Sequence, residues 1–556
     1  MTTKTLTGRN AFMELMIHEG VSHMFGNPGT TELALMEAVP QYPDVKYVMG
    51  LQESIVLGMA DGYGRASGRL SAVNLHCAPG LGHAMGALYS AKFSGSPIIV
   101  TAGQYEVGYG LTEPLLYEPL VPIASPLVKW AFEVERADDL PRIIHRAAKI
   151  ALTPPTGPVF LSLPSSVLDE VTDVPLGHPT RVLGTVQPDL ETLKMLANRI
   201  LQAKRPVILA GHELARHDCF KEAGELATQL GAAVYQESVP YNTRFPTAHP
   251  CNMGEITRNQ HTMHDTLSQY DLLICLGADL LRTSPKASIE PLPEGLPVIH
   301  ISERDWELGK NYNTEVAIQA NVASTLRALL PVLDELQTSA QAAGARTRLE
   351  TLYQSNWTNR RNAFAHALEA HAQSIPTHPD YALLQITQAL PPEAIVVDEN
   401  PTHAGTLFKL MHANDPVSNF GLTSGGLGFA MAGAIGVSLA QPSRPVVATV
   451  GDGSSLYSIQ ALWTAANLKL PITYVILNNQ SYEIIKNRLV AMRNSKQFLG
   501  MDMTDPAIDF VAVANGFGMK AKRVERAADI QAAVRQAVAS GEPNLLDIAI
   551  APQSFE

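Results

Sequence analysis

Two apolar, β-branched runs that each end in polar residues place the strongest constraint on the fold. The first, at residues 446–450, leads into Gly451-Asp-Gly-Ser, and the second, at 472–477, leads into Asn478-Asn479. A helix-like stretch at 457–467 lies between them, so the pattern indicates a strand–helix–strand unit. Buried parallel strands have continuous apolar runs, and their carboxyl ends open onto a ligand crevice. The unit therefore predicts a doubly wound α/β sheet with a ligand site after these two strands.

The polar residues after the two strands have the chemistry of a site for a metal-bound phosphate. Gly451 and Gly453 let the backbone approach a phosphate closely, and the helix N-terminus that follows favours an anion. Asp452 and Asn479 supply hard oxygen ligands, which suit a Mg²⁺ ion bridging to a diphosphate. An ordinary glycine-rich turn in a doubly wound sheet is the alternative interpretation. The strand context on both sides of the motif favours the diphosphate site.

A similar alternation of strand-like and helix-like segments extends along the whole chain. With 556 residues the chain is too long for one hydrophobic core. Such alternation is typical of parallel sheets with helices on both faces. We predict an α/β protein of three doubly wound parallel-sheet domains, at residues 1–180, 190–340 and 350–556, with a polar linker at 168–188 and a helical or flexible link at 335–348. The predicted strands are 23–26, 46–49, 71–76 and 97–102 in the first domain, and 206–210, 232–235, 271–277 and 296–301 in the second.

Charge and cysteine content exclude several classes of protein. The formal charge of −12, without basic stripes, argues against nucleic-acid binding. The four cysteines are far apart and form no CxxC pair, which is typical of reduced thiols in a cytosolic protein. The chain start lacks the apolar run of a secretory signal, and the longest apolar stretch, 425–440, is too short and glycine-rich for a membrane span. We therefore predict a cytoplasmic protein with no nucleic-acid partner and no membrane partner.

The order of these motifs resembles the family of thiamine diphosphate (ThDP)-dependent 2-oxo acid decarboxylases and carboligases over essentially the whole chain. Within that family the benzoylformate decarboxylases look most similar. The resemblance implies a pyrimidine-binding domain, a middle domain and a diphosphate-binding domain in that order, with ThDP and Mg²⁺ as cofactors. The matching segments are 25–33 (Phe-Gly-Asn-Pro-Gly-Thr-Thr-Glu-Leu), 51–53, 60–63, 74–76, 84–88, 101–104, 126–130, 425–430 (Gly-Gly-Leu-Gly-Phe-Ala) and 457–466.

The resemblance also assigns the cofactor residues. Glu53 matches the carboxylate that keeps a proton on the pyrimidine ring, so that the cofactor's own amine can remove the thiazolium C2 proton. Stabilising a helix N-terminus is the alternative role for Glu53. Leu427 matches the residue that wedges the cofactor into its bent form, while Asp452, Asn479 and the backbone carbonyl of Ser481 match the Mg²⁺ ligands. The residues predicted to contact ThDP are Asn27, Pro28, Gly29, Glu53, Thr402, Gly425, Leu427, Gly451, Asp452, Gly453, Ser454 and Tyr482.

Beside Glu53, three residues are predicted catalytic residues on the substrate side. His76 matches a histidine that assists proton transfer to and from the ThDP adducts, and a strand-end histidine bonded to backbone is the alternative. Thr30 stands where the family has a serine that binds the substrate carboxylate, although the first turn of a helix is also an ordinary place for threonine. Ser284 replaces a second active-site histidine. Because serine is not a near-neutral acid or base, the proton relay must be shorter or supplied elsewhere.

The substrate pocket implied by the resemblance differs from the family pattern. Ile484 narrows the room for a phenyl ring where the family has a small residue. Arg488 could clamp a second carboxylate or a phosphate, or it could lie on a solvated helix face. His83 replaces an asparagine that is usual in the family, and the sequence gives no physical account of that change. The predicted pocket residues are Leu115, Leu116, Pro401, Ile484 and Arg488.

Two catalytic functions fit these residues. The first is decarboxylation of a 2-oxo acid to an aldehyde and CO₂, and the second is acetolactate synthase-like carboligation, which the loss of a histidine at Ser284 favours. A non-catalytic binding module would lack Glu53 or the Mg²⁺ ligands, and this chain has both. FAD is allowed but not expected, since no Gly-x-Gly-x-x-Gly follows a strand in the middle domain. In this family two subunits complete one site, so the predicted partners are a small 2-oxo acid and further copies of the chain, in a dimer at minimum and a homotetramer by expectation.

Overall fold

Three parallel β-sheets with flanking helices organise the protein, which confirms the predicted α/β fold class. The computed structural model describes residues 3–182 and 185–555; residues 183 and 184, within the predicted linker, lie outside the described residues. The described chain forms two compact units. The domain boundaries drawn from the sequence stay a prediction. The first unit comprises 3–182, 393–402 and 422–555, and the second comprises 185–392 and 403–421.

The first sheet and its helices occupy the start of the chain. Their bounds are β1 Thr3–Thr7, α1 Gly8–His18, β2 His23–Gly26, α2 Leu33–Ala38, β3 Lys46–Met49, α3 Glu53–Ser67, β4 Ser71–Leu75, α4 Cys77–Ser94, β5 Ile98–Gln104, α5 Leu120–Ala124, β6 Ala131–Glu133, α6 Leu140–Leu152, β7 Val159–Pro164, α7 Ser165–Asp169 and β8 Val171–Pro175. The strand order is β3-β2-β4-β5-β7-β6, and every neighbouring pair is parallel. The four strands predicted here from apolar runs are β2, β3, β4 and β5.

Helix α7 and strand β8 correct the first part of the linker predicted at 168–188, up to Pro175. Strand β8 pairs antiparallel with β1, which places Val174 opposite Lys4. The Val174 side chain is fully buried in the core of the first sheet. Its partner strand lies at the other end of this domain, so the short sequence Val-Thr-Asp-Val-Pro carries too little local pattern to indicate a strand.

The second sheet occupies the middle of the chain. Its order, β11-β10-β9-β12-β13-β14, reverses between β9 and β12, as is typical of a doubly wound sheet. The link at 335–348, predicted to be helical or flexible, is helical from Ser339 onwards. There α13 begins at a capping box formed by Thr338 and Gln341. The bounds are α8 Leu190–Leu201, β9 Pro206–Ala210, α9 Glu213–Arg216, α10 Phe220–Leu230, β10 Ala233–Gln236, β11 Asn252–Glu255, α11 Gln260–Leu267, β12 Leu272–Leu276, β13 Val298–Ser302, β14 Val316–Gln319, α12 Val322–Leu336, α13 Ser339–Ser355, α14 Trp357–Leu368 and α15 Pro379–Ala389.

The third sheet belongs to the last part of the chain. Its bounds are β15 Ile395–Glu399, α16 Ala404–Leu410, β16 Asn419–Gly421, α17 Phe429–Ala440, β17 Val446–Gly451, α18 Asp452–Ser455, α19 Ala461–Asn467, β18 Ile472–Asn478, α20 Glu483–Arg493, α21 Phe510–Gly516, β19 Lys520–Val524, α22 Ala527–Ala539 and β20 Asn544–Ala549. Parallel pairs join β15 to β17, β17 to β18, β18 to β20 and β20 to β19. Short 3₁₀ helices elsewhere span Thr30–Glu32, Val39–Gln41, Tyr109–Thr112, Ser125–Leu127, Ala137–Asp139, Asp305–Glu307 and Glu369–His371.

The helix predicted at 457–467 begins later, at Ala461. Residues 457–460 form turns instead, because the buried Ser458 hydroxyl donates a hydrogen bond to the Gly428 carbonyl at 2.8 Å. That contact ties the turn to the loop before α17. Among the described residues, no helix has the length and apolar character needed to cross a membrane.

Glycines let α3 and α17 pack backbone against backbone in the first unit. A Cβ atom at Gly62 would lie 2.2 Å from the Gly433 carbonyl oxygen, and one at Gly436 would lie 1.9 Å from the Met59 carbonyl oxygen. No side chain fits at either contact. Helix α3 begins at Glu53, just after strand β3 of the first sheet. Its packing against α17 therefore connects the first sheet with the loop that precedes α17.

Candidate active site

Glu53 begins α3 directly after the loop that follows β3. Its neighbour Gln52 caps the helix by accepting a hydrogen bond from the Ser54 N–H. The Glu53 side chain is largely buried and lies against α4, where its Oε2 is 3.1 Å from His83 Nδ1. The structure therefore gives His83 a contact that the sequence did not explain, with the carboxylate predicted to serve the cofactor.

His76 follows β4 and is the N-cap residue of α4. Its Nδ1 lies 2.9 Å from Glu32 Oε2 and 3.1 Å from Thr31 Oγ1. The alternative interpretation was a histidine bonded to backbone, but the polar groups at this nitrogen are a carboxylate and a hydroxyl. A carboxylate at one ring nitrogen orients the imidazole and leaves the other nitrogen for proton transfer.

Glu32 is a site residue that sequence reasoning missed. Its side chain is fully buried, and the carboxylate accepts hydrogen bonds from the Gly29 N–H at 2.8 Å and the Thr31 hydroxyl at 2.6 Å. A Cβ atom at Gly103 would lie 1.9 Å from Glu32 Oε1, so the backbone of β5 closes over the carboxylate. The available signal was the spacing of a Glu three residues after the turn residue Gly29, which is the spacing of a capping box. Thr30, the residue predicted to meet substrate, is exposed at the start of the 3₁₀ helix.

The residues predicted as Mg²⁺ ligands come together at the carboxyl ends of β17 and β18. Asp452 Oδ1 accepts a hydrogen bond from the Gly453 N–H at 2.7 Å, whereas Asp452 Oδ2 is buried and has no partner in the described part of the chain. Asn479 Oδ1 accepts the Ser481 N–H at 3.1 Å. Burial raises the pKa of Asp452 to about 6, and the backbone N–H groups of residues 479–481 oppose that rise. An unpaired buried carboxylate oxygen beside amide and carbonyl oxygens fits a hard divalent cation.

A second acidic cluster, in the second unit, has no unpaired carboxylate oxygen. His212, Glu237 and Asp279 lie after β9, β10 and β12 with their ligand atoms within 4.8 Å of one another. Both Glu237 oxygens accept backbone N–H groups, at 2.6 Å and 2.9 Å. Both Asp279 oxygens are also paired, with the Arg304 guanidinium at 2.6 Å and the Tyr241 hydroxyl at 2.8 Å. Because every carboxylate oxygen already has a partner, this cluster lacks the unpaired oxygen found at Asp452.

Gly453, one of the glycines predicted to hold the diphosphate, has little room for a side chain. A Cβ atom at Gly453 would lie 2.3 Å from the Tyr482 ring. Ser454 is buried in the short helix α18, and Thr402 is half-buried. Gly425 has a φ of +82° in the loop that also carries the half-buried Leu427. Asn27, Pro28 and Gly29, also half-buried, follow β2 at the corresponding edge of the first sheet.

Glu399, at the end of β15, holds that loop in place and was also missed. Its buried carboxylate accepts hydrogen bonds from the Gly428 N–H at 2.7 Å and the Ala430 N–H at 2.8 Å. Burial raises the pKa of Glu399 to about 7, although these N–H groups oppose the shift. Glu399 thereby caps α17 and fixes the loop from Gly425 to Gly428.

The predicted pocket residues are more exposed. Leu115 is 82% exposed, and Leu116 adopts a φ of +73° in the loop before α5. Pro401 is exposed, Ile484 is half-buried, and Arg488 is exposed on α20. Ser284 lies in the second unit, where its N–H donates to the Arg258 carbonyl at 3.3 Å. No described contact joins these six residues to Glu53 or His76, so their predicted roles rest on the resemblance.

Known families match the chain in three consecutive segments. The N-terminal TPP binding domain of thiamine pyrophosphate enzymes matches residues 6–115, their central domain matches 193–329, and their C-terminal TPP binding domain matches 402–548. Thiamine pyrophosphate is another name for ThDP. The three matches together cover more than half of the chain.

Curated proteins and solved structures show the same relationship. The chain is 31% identical to benzoylformate decarboxylase of Pseudomonas aeruginosa over 98% of both chains, and 26% identical to probable acetolactate synthase 2 of Oryza sativa subsp. japonica over 98% of this chain and 83% of that protein. A ThDP-dependent 4-hydroxybenzoylformate decarboxylase of Rhodococcus jostii superposes with a TM-score of 0.86 at 29% identity, covering 99% of this chain and 100% of that chain. Benzoylformate decarboxylase of Polynucleobacter necessarius gives a TM-score of 0.87 at 27% identity, covering 98% of this chain and 99% of that chain.

Proposed function

The chain belongs to the thiamine pyrophosphate-dependent family of decarboxylases and carboligases, and from that premise we propose that it decarboxylates a 2-oxo acid with ThDP and Mg²⁺, releasing an aldehyde and CO₂. The observation that carries this proposal is the pairing of the buried Glu32 with the half-buried His76, whose Nδ1 lies 2.9 Å from the carboxylate. Decarboxylation needs a group that returns a proton to the product carbon, and an oriented imidazole can do so.

The residues of the first unit would hold the cofactor in the following way. Asp452, Asn479 and the Ser481 carbonyl would bind Mg²⁺, while Gly453 and Ser454 would donate to the diphosphate. Glu53 would keep a proton on the pyrimidine ring. When bound, ThDP supplies the carbanion that adds to the ketone and the electron sink for the bonding pair that stays behind when CO₂ leaves.

His76 and its partners would manage the proton at the reacting carbon. The Glu32 carboxylate holds the imidazole through Nδ1, so Nε2 is the nitrogen that would give and take the proton. Thr31 contributes a hydroxyl to both Glu32 and His76. Since Ser284 offers no near-neutral acid or base, His76 would perform this work alone.

The substrate we propose is an arylglyoxylate of the benzoylformate class. Its support is the 31% identity over 98% of the chain to a benzoylformate decarboxylase. Ile484 narrows the pocket, so an unsubstituted ring should be preferred over a larger one.

Acetolactate synthase-like carboligation is the second candidate function. The 26% identity to an acetolactate synthase over 98% of the chain and the serine at position 284 favour it. A weaker proton relay gives a second carbonyl more time to capture the reacting carbon before a proton arrives.

One experiment separates the two functions. The purified protein is incubated with ThDP, Mg²⁺ and either benzoylformate or pyruvate, and products are identified by proton NMR. Benzaldehyde from benzoylformate supports the proposal. Acetolactate from pyruvate, with no aldehyde from either acid, supports carboligation instead. A Glu53→Gln variant serves as the control for background reaction.

We further propose that the chain works as a homo-oligomer, at minimum a dimer and by expectation a tetramer. The support is the family's use of two subunits for one site. Light scattering coupled to size-exclusion chromatography measures the mass directly, and a 60.0 kDa particle would contradict the proposal.

A further inference from the structure

Three consecutive buried residues, Asp398, Glu399 and Asn400, lie at the carboxyl end of β15. Only Asn400 has a side-chain hydrogen-bond donor without an acceptor in the described part of the chain. Asp398 accepts the Thr449 hydroxyl at 2.7 Å, and Glu399 accepts the N–H groups that begin α17. The side chain of Asn400 is 3% exposed, and its Nδ2 has no hydrogen-bond partner in the described part of the chain. A buried amide donor without an acceptor is costly, so an acceptor from outside the chain would stabilise it wherever a ligand can reach it.

The position of Asn400 identifies where that partner would lie. Parallel pairing of β15 with β17 sets Glu399 opposite Val450, so Asn400 follows beside Gly451. A Cβ atom at Gly451 would be 4.0 Å from Asn400 Oδ1 and 3.7 Å from Ser454 Oγ. The unpaired side-chain amide of Asn400 therefore lies beside Gly451, the first residue of the Gly-Asp-Gly-Ser motif at the end of the neighbouring strand.

Two unsatisfied atoms of opposite character flank Gly451. Asn400 Nδ2 is a buried donor without an acceptor, and Asp452 Oδ2 is a buried acceptor without a donor or a cation in the described part of the chain. An anion that carries its own divalent cation would satisfy both atoms at once. A Mg²⁺-bound diphosphate has that composition, whereas a lone anion would leave the Asp452 oxygen unpaired.

We propose that the side-chain amide of Asn400 donates a hydrogen bond to a diphosphate oxygen of ThDP, which makes Asn400 a cofactor-binding residue. The proposal rests on the proposed function, because it deepens the same cofactor site. It adds a side-chain contact at the end of β15, two residues before the predicted contact Thr402, so residues after two neighbouring strands would hold the anion.

Binding of inorganic diphosphate tests the contact without the chemistry of the cofactor. Isothermal titration of the apoprotein with Mg²⁺-diphosphate and with Mg²⁺-ThDP is compared for the wild type, Asn400→Leu and Asn400→Asp. We expect both variants to lose affinity for both ligands by at least about tenfold, the loss typical of a hydrogen bond to a charged acceptor. Asn400→Asp should lose more, because its carboxylate repels the anion.

Asn419 offers a matched control: it is also 3% exposed and its Nδ2 also lacks a partner among the described residues, but its Oδ1 accepts a hydrogen bond from Thr243, and both residues belong to the second unit. Asn419→Leu should leave both affinities within about twofold of the wild type. Thermal unfolding of each apoprotein identifies a variant that fails to fold, and Asn400→Ala then carries the same comparison. Wild-type affinities in the Asn400 variants would overturn this inference alone. A wild type that binds no Mg²⁺-ThDP would overturn the proposed function as well.

Discussion

Glu53 is the residue on which turnover should depend most. Its carboxylate is buried at the start of α3 and is the acid group that the family resemblance assigns to the pyrimidine ring. Glu53→Gln keeps the shape but removes the charge, so kcat should fall by at least about 100-fold while ThDP still binds. Single-turnover kinetics and titration calorimetry measure the two quantities separately. Near-normal kcat in this variant would remove Glu53 from the mechanism.

Glu32 should act on the reaction only through His76. Glu32→Gln replaces an acceptor of three hydrogen bonds with an amide, so the imidazole loses its orienting charge. We expect kcat to fall by at least about tenfold with little change in ThDP affinity. Glu37→Gln, on the exposed face of α2, is the control and should behave like the wild type. If Glu32→Gln changed only thermal stability, its role would be structural.

The residues that could be predicted from the sequence are those whose chemistry is local. Asp452 and Asn479 follow recognisable strands, so the strand pattern alone assigns their oxygens to a shared edge of the sheet. Glu32 and Asn400 could not be found in this way. Glu32 is defined by contacts with His76 and Gly103, and Asn400 by its place beside Gly451, and each of these partners is distant along the chain.

Packing between α3 and α17 makes a prediction at the level of elements. Gly436→Ala places a methyl group against the Met59 carbonyl oxygen, so the helices must separate, at a cost of about 1–3 kcal/mol in the free energy of unfolding. Gly516→Ala at the end of α21 meets nothing within 4 Å and should be neutral or stabilising by up to about 1 kcal/mol. Denaturant titration compares the two. Equal stabilities would contradict the close packing inferred for α3 and α17.

The cap that Glu399 places on α17 predicts a pH dependence of stability. Burial raises its pKa to about 7, so in the folded protein it binds a proton that the unfolded chain releases near its ordinary value of 4.5. The stabilising contribution is complete below that ordinary value and is lost as the pH rises through 7, to the extent of about 3 kcal/mol. Unfolding of the wild type and Glu399→Gln is compared at pH 5 and pH 8. The variant should lack this part of the pH dependence, and an identical dependence in both proteins would contradict the assignment.

At the level of secondary-structure elements, the positions of the strands could be predicted better than their contacts with other elements. The apolar runs that became β2, β4, β5, β9, β10, β12, β13, β17 and β18 carry continuous patterns, because both faces of a parallel sheet are buried. Strand β8 and the turns at 457–460 had no such signal. The first depends on pairing with β1, and the second on the hydrogen bond from Ser458 to the loop before α17.

For the whole molecule, the division into two compact units separates cofactor binding from the rest of the chain. Every residue predicted to contact ThDP or Mg²⁺, from Asn27 to Tyr482, belongs to the first unit. The second unit, which contains the middle sheet, has its own polar cluster around Asp279, and each carboxylate oxygen in that cluster is paired. Among the described residues, those proposed to bind Mg²⁺ and the diphosphate therefore all belong to the first unit.

This separation predicts how the cofactor changes the mobility of the chain. At 100 times Kd a ligand stabilises the state it binds by about 2.7 kcal/mol, and that stabilisation slows amide exchange where opening breaks the site. Hydrogen–deuterium exchange with Mg²⁺-ThDP should therefore slow in peptides covering 450–456 and 478–483 and stay unchanged in β9 and β12. Chelation of Mg²⁺ should reverse the effect, because Asp452 then again lacks a partner for its buried oxygen among the described residues. Asp452→Ala should make exchange insensitive to Mg²⁺. Equal protection of both units would contradict the assignment of the cofactor to the first.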